Sequence, residues 1–241
     1  MGRAVKPWHE ANPTLYEEVR QSILLHFPTL FVQVEHQKVY IRGVLPICDL
    51  TTGEEIDRYF IEIALPNDFP KGIPIVREKG GRIPRSIDRH IYEGDGTCCL
   101  FVRDERWRHY PEGATIVEFI EGPVYQYFLS QSYFELTGKW LFGERGHGIQ
   151  GILEYYSEEL GTNDLVVIMR FLDYLSLKEV KGHWDCFCGS GKRLRHCHFL
   201  KLLAMREKIP SLIAQSSLTN VVFELERLRR TQLQSNQIRS D

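Results

Sequence analysis

The sequence predicts an α+β fold, and three observations carry the prediction. One helical period precedes a run of alternating, strand-like segments. Helical periodicity returns only after a long irregular stretch, and a compact group of cysteines and histidines lies far downstream. Strands gathered into one block, rather than interleaved with helices, suit an antiparallel meander with helices packed against it.

Residues 1–12 read as a loose lead-in. Asn12 followed by Pro13 is a helix start, a capping residue with proline at the first helical position. Leu15, Tyr16, Val19 and Ile23 then recur at helical spacing, and Pro28 ends the helix near Phe27. Strands are expected over Leu30–Glu35, Lys38–Ile47 and Ile56–Leu65, with Thr52-Gly53 as the turn before the third. Ile73–Val76 is expected as a short fourth strand. Further on, Ala114–Tyr127 carries Ile116, Phe119, Ile120 and Val124 at helical steps, with Gly122-Pro123 set to kink or restart it. Gln131–Trp140 is apolar enough to pack back on the sheet, Ile152–Leu160 and Leu165–Leu175 read as two more helices, and Lys181-Gly182 breaks the pattern. Leu218, Val221, Val222, Leu225 and Leu228 form a last helix with Arg227, Arg229 and Arg230 on it, which reads as a packed or partner-binding helix with a solvated basic face. The implied organisation is 1–145 as the main domain, 146–182 as a helical extension, 183–200 as a small knuckle and 201–241 as a helical tail.

Composition narrows the function classes. The 241 residues suffice for one sizeable core plus an appendage, and 43% hydrophobic with 26% charged residues fits a folded chain. A net charge of -2 argues against nucleic acid as the main partner. No apolar run approaches the ~20 residues that span a bilayer, and the start lacks the apolar core of a secretion signal. No membrane is expected, and the cytoplasm is the expected location. In that compartment six cysteines read as thiols and metal ligands rather than disulfides.

Two stretches carry chemistry. The first is His90-Ile91-Tyr92-Glu93-Gly94-Asp95-Gly96-Thr97-Cys98-Cys99-Leu100, followed by Trp107 and Pro111. Glycines at 94 and 96 allow tight turning that can present a sulfur in the open. A packed core cysteine is the competing reading. Cys48, at a strand end, reads as inert packing. His147, between two glycines, is either a loop group near a substrate or a turn residue.

The second is Cys186-Phe187-Cys188-Gly189-Ser190-Gly191-Lys192-Arg193-Leu194-Arg195-His196-Cys197-His198. Two cysteines one residue apart, a Gly-Ser-Gly turn and a Cys-His pair supply soft and borderline ligands suited to tetrahedral zinc. The Gly-Ser-Gly-Lys run is not a phosphate loop, because it lacks the spacing to an earlier glycine. A knuckle this small buries little, so Zn2+ would supply much of its folding free energy. Lys192, Arg193 and Arg195 would form an exposed basic rim for docking a partner protein.

The first stretch resembles the active-site region of ubiquitin-conjugating enzymes over roughly residues 13 to 135. Their pattern is His-Pro-Asn, an apolar pair, a glycine-containing loop, Cys-Leu and a Trp eight residues on. Here Leu100 follows Cys99 and Trp107 stands eight positions after it, while Leu65-Pro66-Asn67-Asp68-Phe69-Pro70 with Pro74 is similar to the family's proline-rich turn. Asp88-Arg89-His90 stands in place of His-Pro-Asn, and the loop to Cys99 is one residue longer, as in a divergent bacterial-type member. The resemblance implies a ubiquitin-conjugating-enzyme-like fold: N-terminal helix, four-stranded antiparallel meander, active-site loop and C-terminal helices.

It also implies a mechanism. Cys99 would carry a ubiquitin-like protein or another protein's C-terminus as a thioester and pass it to an amine of a target protein. His90 would replace the missing Asn, unless it is a packed loop residue, and Asp95 would lower the pKa of an incoming lysine. Counting back to the Asn position favours Cys98, whereas Leu100 and Trp107 favour Cys99. A vicinal disulfide between them would be strained. A separate activating enzyme is implied, since no adenylating or phosphate-binding motif is visible, and relatives of this kind sit in modification operons, some serving anti-phage defence. The alternatives are a non-catalytic adaptor and a cysteine isopeptidase using Cys99 and His90. The second stretch resembles a SEC-C motif, which implies Cys186, Cys188, Cys197 and His198 as structural zinc ligands, with His196 as a weaker substitute for the fourth.

Overall fold

Alternation along the strand segments sets the architecture, because side chains at every second position share a face. The computed structural model describes residues 6–49, 51–142, 146 and 148–238, with side chains through 231. It is α+β. Strands β1 (Leu30–Glu35), β2 (Lys38–Cys48), β3 (Glu55–Ala64) and β4 (Ile75–Glu78) form one antiparallel sheet in the order β1-β2-β3-β4. Val39, Ile41, Leu45 and Ile47 of β2, Ile61 and Ile63 of β3, and Val76 of β4 are buried. The opposite face is a charged ladder, in which Arg42 bridges Glu62 at 2.7 Å and Glu35 at 2.5 Å. His36 and Gln37 join β1 to β2, both with positive φ (48° and 62°), as a two-residue primed turn requires. Gly43 is a glycine by necessity: a Cβ there would sit 2.0 Å from the Thr29 carbonyl oxygen.

The chain divides into two compact units, Met1–Phe101 with Arg108–Glu144, and Val102–Trp107 with Arg145–Asp241. In the first, α2 (Pro13–His26) begins as its sequence demands, with the Asn12 side chain accepting from the Leu15 N–H. Within its described residues, 6–12, the lead-in is not loose. Trp8–Ala11 is a short helix, α1, whose buried Trp8 packs on Phe69 with ring centroids 4.8 Å apart. One anchored aromatic orders a segment too short to show a period.

Beyond the sheet, α3 (Arg106–His109) leads to α4 (Ile116–Phe119), which starts at a Thr115–Glu118 capping box. The helix kinks at Gly122 (φ -89°, ψ -105°), as Gly122-Pro123 leads one to expect, and continues as α5 (Tyr125–Thr137). The segment expected to pack back on the sheet, 131–140, begins inside that helix. Gln131 lies inside α5, and Gly138, at φ 69°, ends that helix. Phe128 of α5 packs on Tyr59 of β3 at 4.8 Å.

The second unit is helical: α6 (Ile149–Leu160), α7 (Leu165–Ser176), α8 (Phe199–Lys208) and α9 (Ser211–Ile238). Asp164 caps α7 by accepting from the Val166 and Val167 N–H groups. Helices α8 and α9 occupy the expected helical tail, α8 starting slightly before residue 201, and α9 is longer than the expected last helix. Tyr155, Tyr156, Phe171, Leu172, Phe187, Leu194, Leu202, Ala214 and Val221 form one core. Segments 146–182, 183–200 and 201–241, separate in the sequence reading, all contribute to it. Buried Asp104 ties this unit together, accepting from Tyr156 Oη at 2.5 Å and Ser217 Oγ at 2.8 Å. Among the described residues no helix is long and apolar enough to cross a membrane.

Candidate functional site

The first candidate site grows from the β4 edge. A 3-10 turn over Ile87–Arg89 ends at His90, whose φ of 54° is left-handed. The chain then doubles back. Ile91 bridges Cys98, and Tyr92 N–H donates to the Thr97 carbonyl at 2.9 Å. Gly96, at φ 69°, makes the turn. The hairpin is pinned to the sheet by the Cys98 N–H, which donates to the Val76 carbonyl at 2.8 Å.

Extended backbone sends successive side chains to opposite sides, which separates the adjacent cysteines. Cys98 enters the core at 5% exposure. Burial pushes its thiol up to about 12, against a hydrogen bond with Tyr127. Cys99 is half-buried. Burial raises its thiol too, while the Tyr92 hydroxyl, donating toward the sulfur at 3.8 Å, works the other way. Both sulfurs are therefore neutral thiols at pH 7. The Cys99 N–H donates to the His90 carbonyl at 2.7 Å, and the His90 ring packs edge-on against Trp140 at 4.8 Å.

Asp95 is exposed on the same hairpin. Its carboxylate accepts from Thr97 Oγ1 at 2.7 Å and the Thr97 N–H at 3.1 Å, and faces Arg77 at 3.4 Å. Those hydrogen bonds hold it below the usual carboxylate range. Leu100 packs on the core of the first unit, whereas Trp107 belongs to the second. There the Trp107 indole donates to Tyr155 Oη at 3.1 Å and its ring lies under the Lys208 ammonium at 3.9 Å. Cys48 is half-buried at the end of β2, and its backbone N–H donates to Tyr125 Oη at 2.8 Å. His147 lies outside the described residues.

The second site is a candidate metal centre. Cys186, Cys188, Cys197 and His198 bring their ligand atoms within 4.8 Å of one another. His198 Nδ1 stands 3.2 Å from the sulfurs of both Cys186 and Cys197, and the sulfurs of Cys188 and Cys197 are 3.7 Å apart. Such a compact set of three thiols and one imidazole can hold a tetrahedral metal ion. His196 is not in it, since its Nε2 accepts from Arg195 Nε at 3.0 Å. Gly189 and Gly191, both at φ 73°, fold the strand of ligands back on itself. Phe187, between two ligands, is buried against Phe171 at 4.9 Å.

Electrostatics differ within this cluster. Burial pushes the Cys186 thiol up to about 11. Burial acts upward on Cys188 as well, but hydrogen bonds from Ser190 and from the neighbouring thiols outweigh it and bring that thiol to about 6. One thiolate is thus present at neutral pH before any ion arrives. Of the basic rim, Arg193 pairs with Asp185 at 2.8 Å, and Lys192, Arg193 and Arg195 are exposed.

Sequence reasoning missed Tyr92, Tyr127 and Gln131 near Cys99, and Ser190 beside Cys197. Only Ser190 carried a local signal, its place between the two glycines of the ligand loop. Comparison with known proteins returns no matching family model, no matching curated protein and no matching solved structure.

Proposed function

We propose that the chain is a ubiquitin-conjugating-enzyme-like cysteine acyltransferase that carries its acyl group on Cys99. The observation that carries this reading is the split between neighbours, Cys98 locked in the core and Cys99 half-open beside a tyrosine hydroxyl. The order of elements supports it: a capped helix, a four-stranded meander, a cysteine hairpin on the last strand, then helices. In loading, the Cys99 sulfur attacks the thioester carbonyl presented by a separate activating enzyme. A new C–S bond forms, the donor's C–S bond breaks, and the Cys99 proton passes to a base, for which His90 is the nearest histidine in sequence. In discharge a neutral amine of the target attacks, the C–N bond forms, the C–S bond breaks, and the proton given up by the amine passes to the departing Cys99 sulfur, which ends as the thiol. Tyr92 donates to that leaving sulfur. The carried group is a ubiquitin-like protein or a protein C-terminus. Asp95 braces the hairpin and offers negative charge to an incoming lysine.

The Cys/His cluster is read as a structural zinc site. Zinc bonds of about 2.3 Å to sulfur and 2.0–2.1 Å to nitrogen imply tetrahedral edges near 3.6–3.8 Å, comparable to the 3.2 Å from His198 Nδ1 to Cys186 and Cys197 and the 3.7 Å between Cys188 and Cys197, with all four ligand atoms within 4.8 Å of one another. All four positions are filled by protein, so the ion holds the knuckle together and the basic rim docks a partner protein.

A non-catalytic adaptor is the second reading, favoured by the raised Cys99 thiol, which is what a packed cysteine has. Pull-down of Cys99→Ser with its genomic neighbours, followed by intact-mass analysis, separates the two. The expected result is an oxyester adduct on Cys99→Ser, absent in Cys99→Ala and retained as a thioester in Cys98→Ala. Absence of any adduct with an activating enzyme present leaves the adaptor.

A further inference from the structure

His90 adopts a left-handed backbone, which a residue with a Cβ resists, so neighbouring groups must hold it there. The holding groups come from one face of α5. Gln131, fully buried at 0% exposure, spends its whole side chain on the preceding residue. Its Nε2 donates to the Arg89 carbonyl at 2.8 Å, and its Oε1 accepts from Arg89 Nε at 2.9 Å and Nη2 at 2.7 Å. One turn earlier, Tyr127 Oη donates to the Arg89 carbonyl at 3.1 Å and reaches the His90 carbonyl at 3.4 Å. The Arg89 guanidinium is further fixed over the Phe134 ring at 4.9 Å and by Glu135 at 3.3 Å. That same His90 carbonyl receives the Cys99 N–H. A continuous set of hydrogen bonds therefore runs from α5 through Arg89 and His90 to the backbone of Cys99.

A buried glutamine with no apolar purpose, clamped at both ends of its amide onto one residue, is expensive to keep unless geometry is what it secures. We infer that Gln131 is a positioning residue for the Cys99 site. It fixes the Arg89–His90 peptides, and through them the His90 imidazole and the Cys99 backbone. This rests on reading Cys99 as the acyl carrier. Gln131 touches no reacting atom.

The test uses the full chain with Cys98→Ala as background, and two readouts. The first is the pH dependence of Cys99 alkylation by iodoacetamide. The second is lysine aminolysis of Cys99 acetylated by a small acetyl thioester, followed by peptide mass. Gln131→Met keeps the volume and removes every hydrogen bond. It is expected to slow aminolysis at least tenfold and to move the alkylation midpoint downward, as the thiol loses its fixed, half-buried place. Gln131→Glu keeps the acceptor for the guanidinium and gives up the donor to the carbonyl, so its aminolysis rate is expected between wild type and Gln131→Met. Tyr127→Phe, which loses only a hydroxyl, supplies the same readouts if Gln131→Met does not fold, with a threefold or greater loss expected.

Rates and midpoints unchanged within twofold in folded variants overturn the inference. The acyl-carrier reading fails separately, and visibly, when wild-type acetyl-Cys99 is aminolysed no faster than the same residue in the urea-unfolded chain. Alkylation midpoints still report on Gln131 in that case.

Discussion

The two cysteine clusters use the same atom in opposite surroundings. At the hairpin, adjacent sulfurs are split by strand geometry, and burial raises both thiols, Cys98 to about 12. At the knuckle, sulfurs from a 12-residue span converge, and hydrogen bonding brings Cys188 down to about 6 while Cys186 goes up to about 11. The hairpin keeps one thiol neutral, half-buried and apart from its neighbour. The knuckle assembles charge and donors around a point, as an ion needs. Backbone direction decides the difference: alternation separates neighbours, and a glycine-hinged loop gathers residues that are distant in sequence.

The largest effect that would break this contrast is loss of the ion. Cys188→Ser or Cys197→Ser is expected to abolish metal binding, read by metal analysis of the purified protein. Unit two should lose most of its cooperative unfolding transition, since structural zinc contributes on the order of 10 kcal/mol in small domains. Metal retained at one equivalent in both variants would refute the ligand set.

Next is the split within the hairpin. A shift from 9.0 to about 12 leaves Cys98 with a thiolate fraction about a thousandfold below that of an ordinary thiol near pH 8. Iodoacetamide at that pH is expected to modify Cys99 well before Cys98, by mass of the peptides. The linkage has a sign. The folded pKa of Cys98 is raised, so its contribution to stability is full below the unfolded value and is lost as pH rises through about 12. Cys98→Ala is therefore expected to flatten the fall in stability between pH 9 and 12.

Phe187→Ala tests whether the knuckle is bound to its unit by packing as well as by metal. Its ring is 2% exposed between Phe171 and His198, and the loss is expected to be about 3–5 kcal/mol by chemical denaturation. The smallest effect sharpens the division into two units. Asn12→Ala and Asp164→Ala each remove one helix cap, one per unit, and each is expected to cost about 1 kcal/mol. Two resolved transitions, each moved by its own cap, are the expected calorimetric outcome.

The meander was legible because alternation is local: β1 matches its expected span, and β2 and β3 lie within a residue of theirs. The Asn12 cap and the Cys186, Cys188, Cys197 and His198 cluster were legible for the same reason, as short-range chemistry. What escaped was long-range. Gln131 looks like an ordinary helix residue until Arg89, 42 positions away, is brought to it. Tyr92 becomes relevant to Cys99 only when the hairpin closes. Trp107 illustrates the opposite error, since its spacing from Cys99 suggested one site, and its ring is packed among the residues of the other unit. Trp8 escaped because a four-residue helix with one buried position shows too little period to register.

His198 is both the last metal donor and the residue that caps α8. A helix of ten residues is too short to form by itself in water, because its first turn must be ordered before any propagation helps. An ion held there would fix that first turn, clamping the imidazole and setting the backbone direction. It would then act as an initiator of secondary structure for residues 199–208, alongside the packing of Leu202 and Met205 in the core. A chelator should then erase ellipticity well beyond the thirteen residues of the knuckle itself.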